Sequence, residues 1–211
     1  FCNAGFDLLG TKWHPFVSLT SYAVNPVINI VIMLLIIIGG IGFFTWEDIY
    51  LHKFHFKHYH MQSKVILTTT LCLILLPAVF FFFQDYGNLS GIHRLLASLF
   101  QAVTPRTAGF NTTDLSMLTG ASKAMMILLM LIGGSPSSTA GGMKTTTFAL
   151  LLLNVLATFQ SCDDVTAFGR RIDASVIKNA ATIAMMYFIL FFAGGMTISV
   201  YEGLPLSSCL F

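Results

Sequence analysis

Residues 92–111 read IHRLLASLFQAVTPRTAGFN and join a short apolar helix to a polar loop that contains glycine. A helix over 92–103 would be about 18 Å long, whereas the hydrocarbon core of a bilayer is about 30 Å thick. Pro105 ends the helix, because proline lacks the amide that the next turn needs. A half-length helix followed by irregular backbone is typical of a re-entrant segment, which enters a membrane without crossing it.

The composition of the whole chain also indicates a membrane protein. Of its 211 residues, 55% are hydrophobic and 9% are charged, whereas soluble proteins carry about 25% charged residues. The net charge of +2 offers no basic face for nucleic acid, which excludes that class of partner. Five runs lack Lys, Arg, Asp and Glu and are long enough to cross or nearly cross a bilayer: 13–46, 65–84, 124–143, 145–162 and 179–201. The first strong candidate span is 25–44. We therefore expect an all-α polytopic membrane protein in the lipid bilayer.

The loop after the half-length helix has a counterpart near the start of the chain. Residues 3–7 (NAGFD) and 107–111 (TAGFN) share Ala-Gly-Phe between polar residues, and Gly109 follows Gly5 by 104 residues. One Ala-Gly-Phe on its own would indicate only a turn. Because an apolar span follows both copies, the pattern favours an internal duplication.

Such a loop is suited to binding a monovalent cation. Small residues in extended backbone can direct successive carbonyl oxygens at a dehydrated ion, and glycine permits the required dihedral angles. The loop contains no carboxylate, which disfavours Ca²⁺ and Mg²⁺.

A second unusual segment, here called the Gly/Ser loop, covers 133–147 and reads GGSPSSTAGGMKTTT. It is not a phosphate-binding loop, because Met143 separates Gly142 from Lys144. It is either an exposed turn between two spans or a break within one crossing over 115–161. The break is favoured, because it leaves Arg170 and Arg171 on the same cytoplasmic side as the basic segment 47–64. That segment also contains four histidines, whose alternation with aromatic and basic residues favours an interfacial anchor over a zinc site.

Four stretches carry a resemblance to a known family: FCNAGFDLLG (1–10), TPRTAGFNTTDLSML (104–118), IGGSPSSTAGGMKTTTF (132–148) and FGRRI (168–172). Together they resemble the Trk/Ktr/HKT superfamily of K⁺ transporters, and most closely the bacterial KtrB-type pore-forming subunits. The resemblance implies K⁺-channel-like repeats of helix, re-entrant pore helix, filter strand and helix, with one discontinuous helix. Residues 1–64 would then end the second repeat, 65–173 would form the third, and 174–211 would begin the fourth.

The resemblance also implies which residues act on the ion. Backbone carbonyls of a filter would bind K⁺, with supporting residues beside them, and the Gly/Ser loop would gate the exit. The implied filter residues are Cys2, Asn3, Ala4, Gly5, Thr107, Ala108 and Gly109, supported by Phe6, Phe110 and Asn111. The implied gate residues are Gly133, Gly134, Ser135, Ser138, Thr139, Gly141, Gly142 and Lys144.

Further expectations concern cofactors, partners and location. The resemblance implies no cofactor bound in this chain, K⁺ as the transported ion and Na⁺ as a candidate activator. It also implies a full-length homodimer and a cytoplasmic nucleotide-binding ring subunit of KtrA/TrkA type on the face formed by 47–64 and 162–173. The location would be the plasma membrane of a bacterium. The alternative is an ion-coupled secondary transporter, which would use an intramembrane carboxylate, and the predicted spans contain none. An enzyme is disfavoured, because no His or Asp lies at membrane depth to activate the serines of the Gly/Ser loop.

Overall fold

The computed structural model describes residues 5, 10, 17–53, 55–89, 91–115, 118–162 and 164–211. These residues form eight α-helices, two short 3-10 turns (Thr20–Tyr22 and Phe56–His58) and one small β-hairpin. The helices follow the predicted order of spans and half-spans, and the all-α class is confirmed.

Helix α1 (Pro26–Ile41) and helix α2 (Phe43–His52) meet at a bend of 98°. The side chain of Asn25 caps α1 by accepting hydrogen bonds from the amides of Val27 and Ile28 at 3.1 and 3.3 Å. The predicted span 25–44 is therefore not one straight helix. It breaks at Gly42, whose φ of +94° lies outside the helical region.

Helix α3 (Met61–Gln84) and helix α4 (Gly91–Val103) pack against each other and form the centre of the fold. With 24 residues, α3 is long enough to cross a membrane, at about 36 Å. The 13 residues of α4 span only about 20 Å. Phe81 of α3 and Phe100 of α4 are each almost fully buried. The half-length helix predicted over 92–103 is thus present, held between α3 and α1.

Two shorter helices, α5 (Gly120–Leu131) and α6 (Thr145–Phe159), have the break between them that the sequence predicts. Their lengths are about 18 and 22 Å, each less than the 30 Å or so of a bilayer core. The side chain of Thr119 caps α5, and a hairpin of β1 (Thr166–Ala167) and β2 (Arg170–Arg171) follows α6. The hairpin packs on the start of α3 through Val65 and Ile172.

Helix α7 (Ala174–Glu202) is the longest helix, and a short helix α8 (Leu206–Leu210) folds back on it. Asp173 caps α7 at its start, and Gly203 ends it in the left-handed conformation with φ +64°. By length and composition, α3 and α7 can each cross a membrane, and the bent α1–α2 pair is a third candidate.

Candidate functional site

The segment Thr107-Ala108-Gly109 directly follows the buried end of α4. Its backbone is turned rather than extended, because the amides of Ala108 and Gly109 both donate to the carbonyl of Thr104 at 3.2 Å. Thr107 and Gly109 have φ values of +69° and +80°. The backbone of this segment alternates in handedness, with positive φ at Thr107 and Gly109, and the carbonyl of Thr104 holds it at the end of the helix.

The first Ala-Gly-Phe copy is described only at Gly5, which lies against the second copy. A Cβ atom on Gly5 would lie 1.8 Å from the carbonyl oxygen of Ala108, and Gly5 has a φ of +62°. Only glycine fits there without moving backbone. Gly109 also has a positive φ, +80°, which favours glycine, but a Cβ atom there would meet nothing within 4 Å. The other implied filter residues of the first copy, Cys2, Asn3 and Ala4, and its supporting residue Phe6 lie outside the described residues.

The segment after Gly109 is attached to the chain that precedes α1. The amide of Asn111 donates to the hydroxyl of Ser18 at 3.0 Å, and the amide of Leu19 donates to the carbonyl of Asn111 at 2.9 Å. Phe110 is half-buried against the cluster that joins α1 to α4. These contacts fix the segment after Gly109 against the chain that leads into α1.

The Gly/Ser loop is held together by its own backbone. Gly133 donates to the carbonyl of Met143 at 2.9 Å, and Thr145 donates to the carbonyl of Gly134 at 3.0 Å. Added Cβ atoms on Gly133 and Gly134 would collide with the opposite side of the loop, at 1.8 Å from Gly141 oxygen in the first case. Glycine is therefore required at positions 133 and 134, because the two sides of the loop lie too close together for a side chain.

Polar side chains complete the interior of the loop. The hydroxyls of Ser135 and Thr145 lie 3.0 Å apart, and both residues are fully buried. The amide of Ala140 donates to the hydroxyl of Ser138 at 3.3 Å. Lys144 turns its ammonium group back onto the carbonyl of Ala140 at 2.9 Å. The one formal charge of the loop is thus used to hold the loop itself.

The loop fills the break between α1 and α2. A broken helix leaves carbonyls without their usual amide donors, and here the carbonyls of Gly39 and Gly40 accept from the amides of Thr139 (3.2 Å) and Ser135 (2.9 Å). In return, Phe43 at the start of α2 donates to the carbonyl of Ser137 at 3.0 Å. At membrane depth no water is available, so such backbone groups need hydrogen-bond partners within the protein.

Sequence reasoning missed this attachment of the loop to the helix bend. The residues Gly39-Gly40-Ile41-Gly42, within an otherwise apolar run, are the available signal for the break. A Cβ atom on Gly42 would lie 2.4 Å from the carbonyl oxygen of Pro136, so the bend and the loop fit each other closely. A second contact comes from α7, where the hydroxyl of Tyr187 donates to the carbonyl of Gly142 at 3.3 Å.

A small cavity of about 10 Å³ lies between the end of α4 and the Gly/Ser loop. Val103 and Arg106 line it from one side, and Gly134, Gly40 and Ile36 line it from the other. This is about the smallest volume that can hold a single water molecule. Arg106 is 6% exposed, and its Nε atom has no hydrogen-bond partner among the described residues.

The basic segment 47–64 is organised around a buried carboxylate. Asp48, 3% exposed, accepts hydrogen bonds from the amide of His60 at 3.1 Å and from the hydroxyl of Ser63, and it lies 2.6 Å from Nδ1 of His60. Within the described part of the chain, no group of three or more His, Cys, Asp or Glu side chains is arranged to hold a metal ion. Asp48 instead fixes the connection between α2 and α3.

The sequence matches a family model described as "TrkH: Cation transport protein" over residues 1–211. The chain belongs to the TrkH family of cation transport proteins. That family transports cations and is not a family of enzymes.

Named relatives of this TrkH-family chain come from bacteria. It is 35% identical to the Ktr system potassium uptake protein B of Bacillus subtilis (strain 168), over 100% of this chain and 47% of that protein. It is 37% identical to the potassium/sodium uptake protein NtpJ of Enterococcus hirae, over 99% of this chain and 46% of that protein. The chain spans about half the length of the curated relatives it matches.

A solved structure shows the same fold. The potassium transporter TrkH from Vibrio parahaemolyticus superposes with a TM-score of 0.75 at 19% identity, covering 95% of this chain and 44% of that chain. The membership predicted from the four sequence stretches is confirmed.

Proposed function

We propose that this chain is part of the pore-forming subunit of a K⁺ uptake transporter in a bacterial plasma membrane. The observation that carries the proposal is the approach of Gly5, the glycine of the first Ala-Gly-Phe copy, to the carbonyl of Ala108 in the second. The family membership and the potassium transport named for its relatives support the same function.

In this proposal the ion is bound by backbone oxygens. Carbonyls of 2–5 and 107–109, together with equivalent segments of the full-length protein, replace the water shell of K⁺. Phe6, Phe110 and Asn111 support these segments. The four segments differ in sequence, so discrimination against Na⁺ is weaker than in a symmetric K⁺ channel. The name of the Enterococcus relative, which includes both ions, supports this expectation.

The Gly/Ser loop is the proposed gate on the inner side of the filter. Two observations support this role. The loop lies across the small cavity from Arg106. Its amides also donate hydrogen bonds to the carbonyls of Gly39 and Gly40 at the α1–α2 bend. For the gate to open, α2 must move relative to α1, and the loop must break these hydrogen bonds. Inward flow is driven by the membrane potential, about 2.3 kcal/mol per charge per 100 mV.

The repeat boundaries and partners are parts of the same proposal. Residues 1–64, 65–173 and 174–211 belong to the second, third and fourth repeats. The full-length subunit forms a homodimer, and a nucleotide-binding ring subunit docks on 47–64 and 162–173. Because α2 lies within this face and also contacts the Gly/Ser loop, movement of the ring would reach the gate directly.

Ion flux into liposomes that contain the purified full-length protein tests this function. Channel-like permeation predicts K⁺ flux that continues when K⁺ is the only permeant cation, and a reversal potential that responds to a Na⁺ gradient only through the weaker permeability to Na⁺. K⁺ flux that requires a Na⁺ or H⁺ gradient, with a reversal potential set by a fixed coupling ratio of the two ions, would favour the ion-coupled secondary transporter. Absence of K⁺ flux from well-folded protein would contradict both.

A further inference from the structure

A long apolar groove lies between α3, α5 and α6, away from the Thr-Ala-Gly segment. Its volume is about 810 Å³, within the range of roughly 300–1,000 Å³ that is typical of ligand sites. Several lining leucines are about half exposed or more, so the groove is accessible from outside. Its walls include Leu76, Phe80, Leu128, Leu152 and Leu156.

The position of the groove limits what can occupy it. One wall is α3, which is long and apolar enough to cross a membrane. A groove in such a helix faces lipid tails rather than water. Lipid tails are as apolar as leucine, so the walls alone cannot select one lipid over another. Any selection depends on the polar residues at the ends of the groove.

One end of the groove is closed by the β-hairpin and is surrounded by cations. Phe168 lines the groove and meets the ring of Phe56 edge-on at 6.3 Å. The ammonium group of Lys64 lies 6.0 Å from the centre of the same Phe56 ring. Val65, the neighbour of Lys64, also lines the groove. The aromatic pair therefore connects the end of the apolar groove to a positive charge.

A second cation lies on the hairpin itself. Arg170 is exposed on β2, two residues after Phe168, and forms no ion pair with any residue that the structure describes. Its neighbour Arg171 is paired with Asp164 at 2.9 Å. Arg170 pairs across the hairpin with Ala167, which lines the groove, so Arg170 and Lys64 both lie next to residues at this end of the groove.

We propose that this groove is a binding site for a phospholipid with an anionic headgroup. An acyl chain lies along the leucines of α3, α5 and α6, and the headgroup phosphate faces Lys64 and Arg170. Charge complementarity at this end, combined with apolar walls at membrane depth, selects an anionic lipid over a zwitterionic one.

Lys64 and Arg170 also lie within the face proposed for the ring subunit, so photolabelling of the full-length protein without the ring tests the site. The protein is reconstituted in phosphatidylcholine vesicles that contain a small fraction of phosphatidylglycerol with a photoreactive acyl chain. We expect labelled peptides from the groove, near Leu76, Leu128 and Leu152. Labelling there should be roughly 30-fold stronger than with an equally reactive phosphatidylcholine, the size expected for two cations that each contribute about 1 kcal/mol beside an anionic headgroup.

Matched variants distinguish recognition of the headgroup charge from lipid contact that does not depend on charge. Lys64→Gln combined with Arg170→Gln should reduce phosphatidylglycerol labelling to the level of phosphatidylcholine. Lys178→Gln removes one charge near the start of α7, outside the groove lining, and should leave the preference unchanged. Elution of each variant as a single peak in size-exclusion chromatography confirms that it is folded.

Three results would overturn the proposal. The first is equal labelling by the two lipids, and the second is an unchanged preference in the double variant. The third is an unlabelled groove in which a photoreactive side chain at position 152 joins to another segment of the protein. That outcome would assign the groove to a packing surface within the full-length subunit.

Discussion

Thr139 holds the carbonyl oxygen of Gly39 with both its amide, at 3.2 Å, and its hydroxyl, at 3.1 Å, although 100 residues separate them. Gly39 lies in the last turn of α1, where the break at Gly42 removes the normal helical donors. The Gly/Ser loop supplies those donors. The bend in α1–α2 and the loop are therefore one structural unit, and a change in either alters the other.

Replacing Thr139 by Val tests whether this unit restrains the proposed gate. The change removes the hydroxyl bond and keeps the side-chain shape, at a cost of about 1 kcal/mol to the closed loop. We expect passive K⁺ leak through the full-length protein in liposomes to rise about fivefold. Thr139→Ser, which keeps the hydroxyl, should leak like the wild type. Equal leak in the Val and Ser variants would show that the hydroxyl does not restrain the gate.

Gly42→Ala should destabilise the protein. Its φ of +94° disfavours any L-residue, and the new methyl group would lie 2.4 Å from the carbonyl oxygen of Pro136. We expect a loss of about 1–3 kcal/mol, seen as a lower midpoint in a thermal unfolding assay in detergent. Gly40→Ala is the matched control, since a Cβ atom there meets nothing within 4 Å. If both variants unfold at the same temperature, the close fit of bend and loop is not important for stability.

Asp48→Ala should loosen the connection between α2 and α3. The change leaves the amide of His60 and the hydroxyl of Ser63 without their acceptor in a buried position, which costs about 1–3 kcal/mol. Thermal unfolding of the variant measures this loss. Glu47→Ala removes an exposed carboxylate one residue away and should change stability by less than about 0.5 kcal/mol. Similar losses in the two variants would argue against a special role for Asp48.

Local patterns of sequence predicted the elements of this fold well. The apolar run before Pro105 predicts the half-length helix, and the structure gives Gly91–Val103. The glycines and serines of 133–147 predict the break between α5 and α6, because these residues interrupt an apolar helical pattern. Both features depend on residues close together in the chain.

Other features could not be read from the sequence, because they depend on contacts between distant segments. The partner of Thr139 is a backbone carbonyl 100 residues away, and a carbonyl carries no sequence signal. The bend at Gly42 was hidden in a run that is apolar throughout. The turned backbone at Thr107 arises because Thr104 binds two successive amides, which the residue types alone do not specify.

The most direct test of the central claim is K⁺ uptake by the full-length protein in cells that lack their own K⁺ uptake systems, with Gly109→Ser compared at matched membrane abundance. Gly109 has open space around it, so serine costs only the strain of a φ near +80°, about 1–2 kcal/mol. Gly203→Ser is the matched control, because Gly203 has a φ of +64° and open space at the end of α7. We predict that the wild type and the Gly203 variant restore growth at low K⁺, and that the Gly109 variant loses K⁺ affinity or preference over Na⁺. Uptake that is absent in the wild type, or identical in both variants, would contradict the proposed filter.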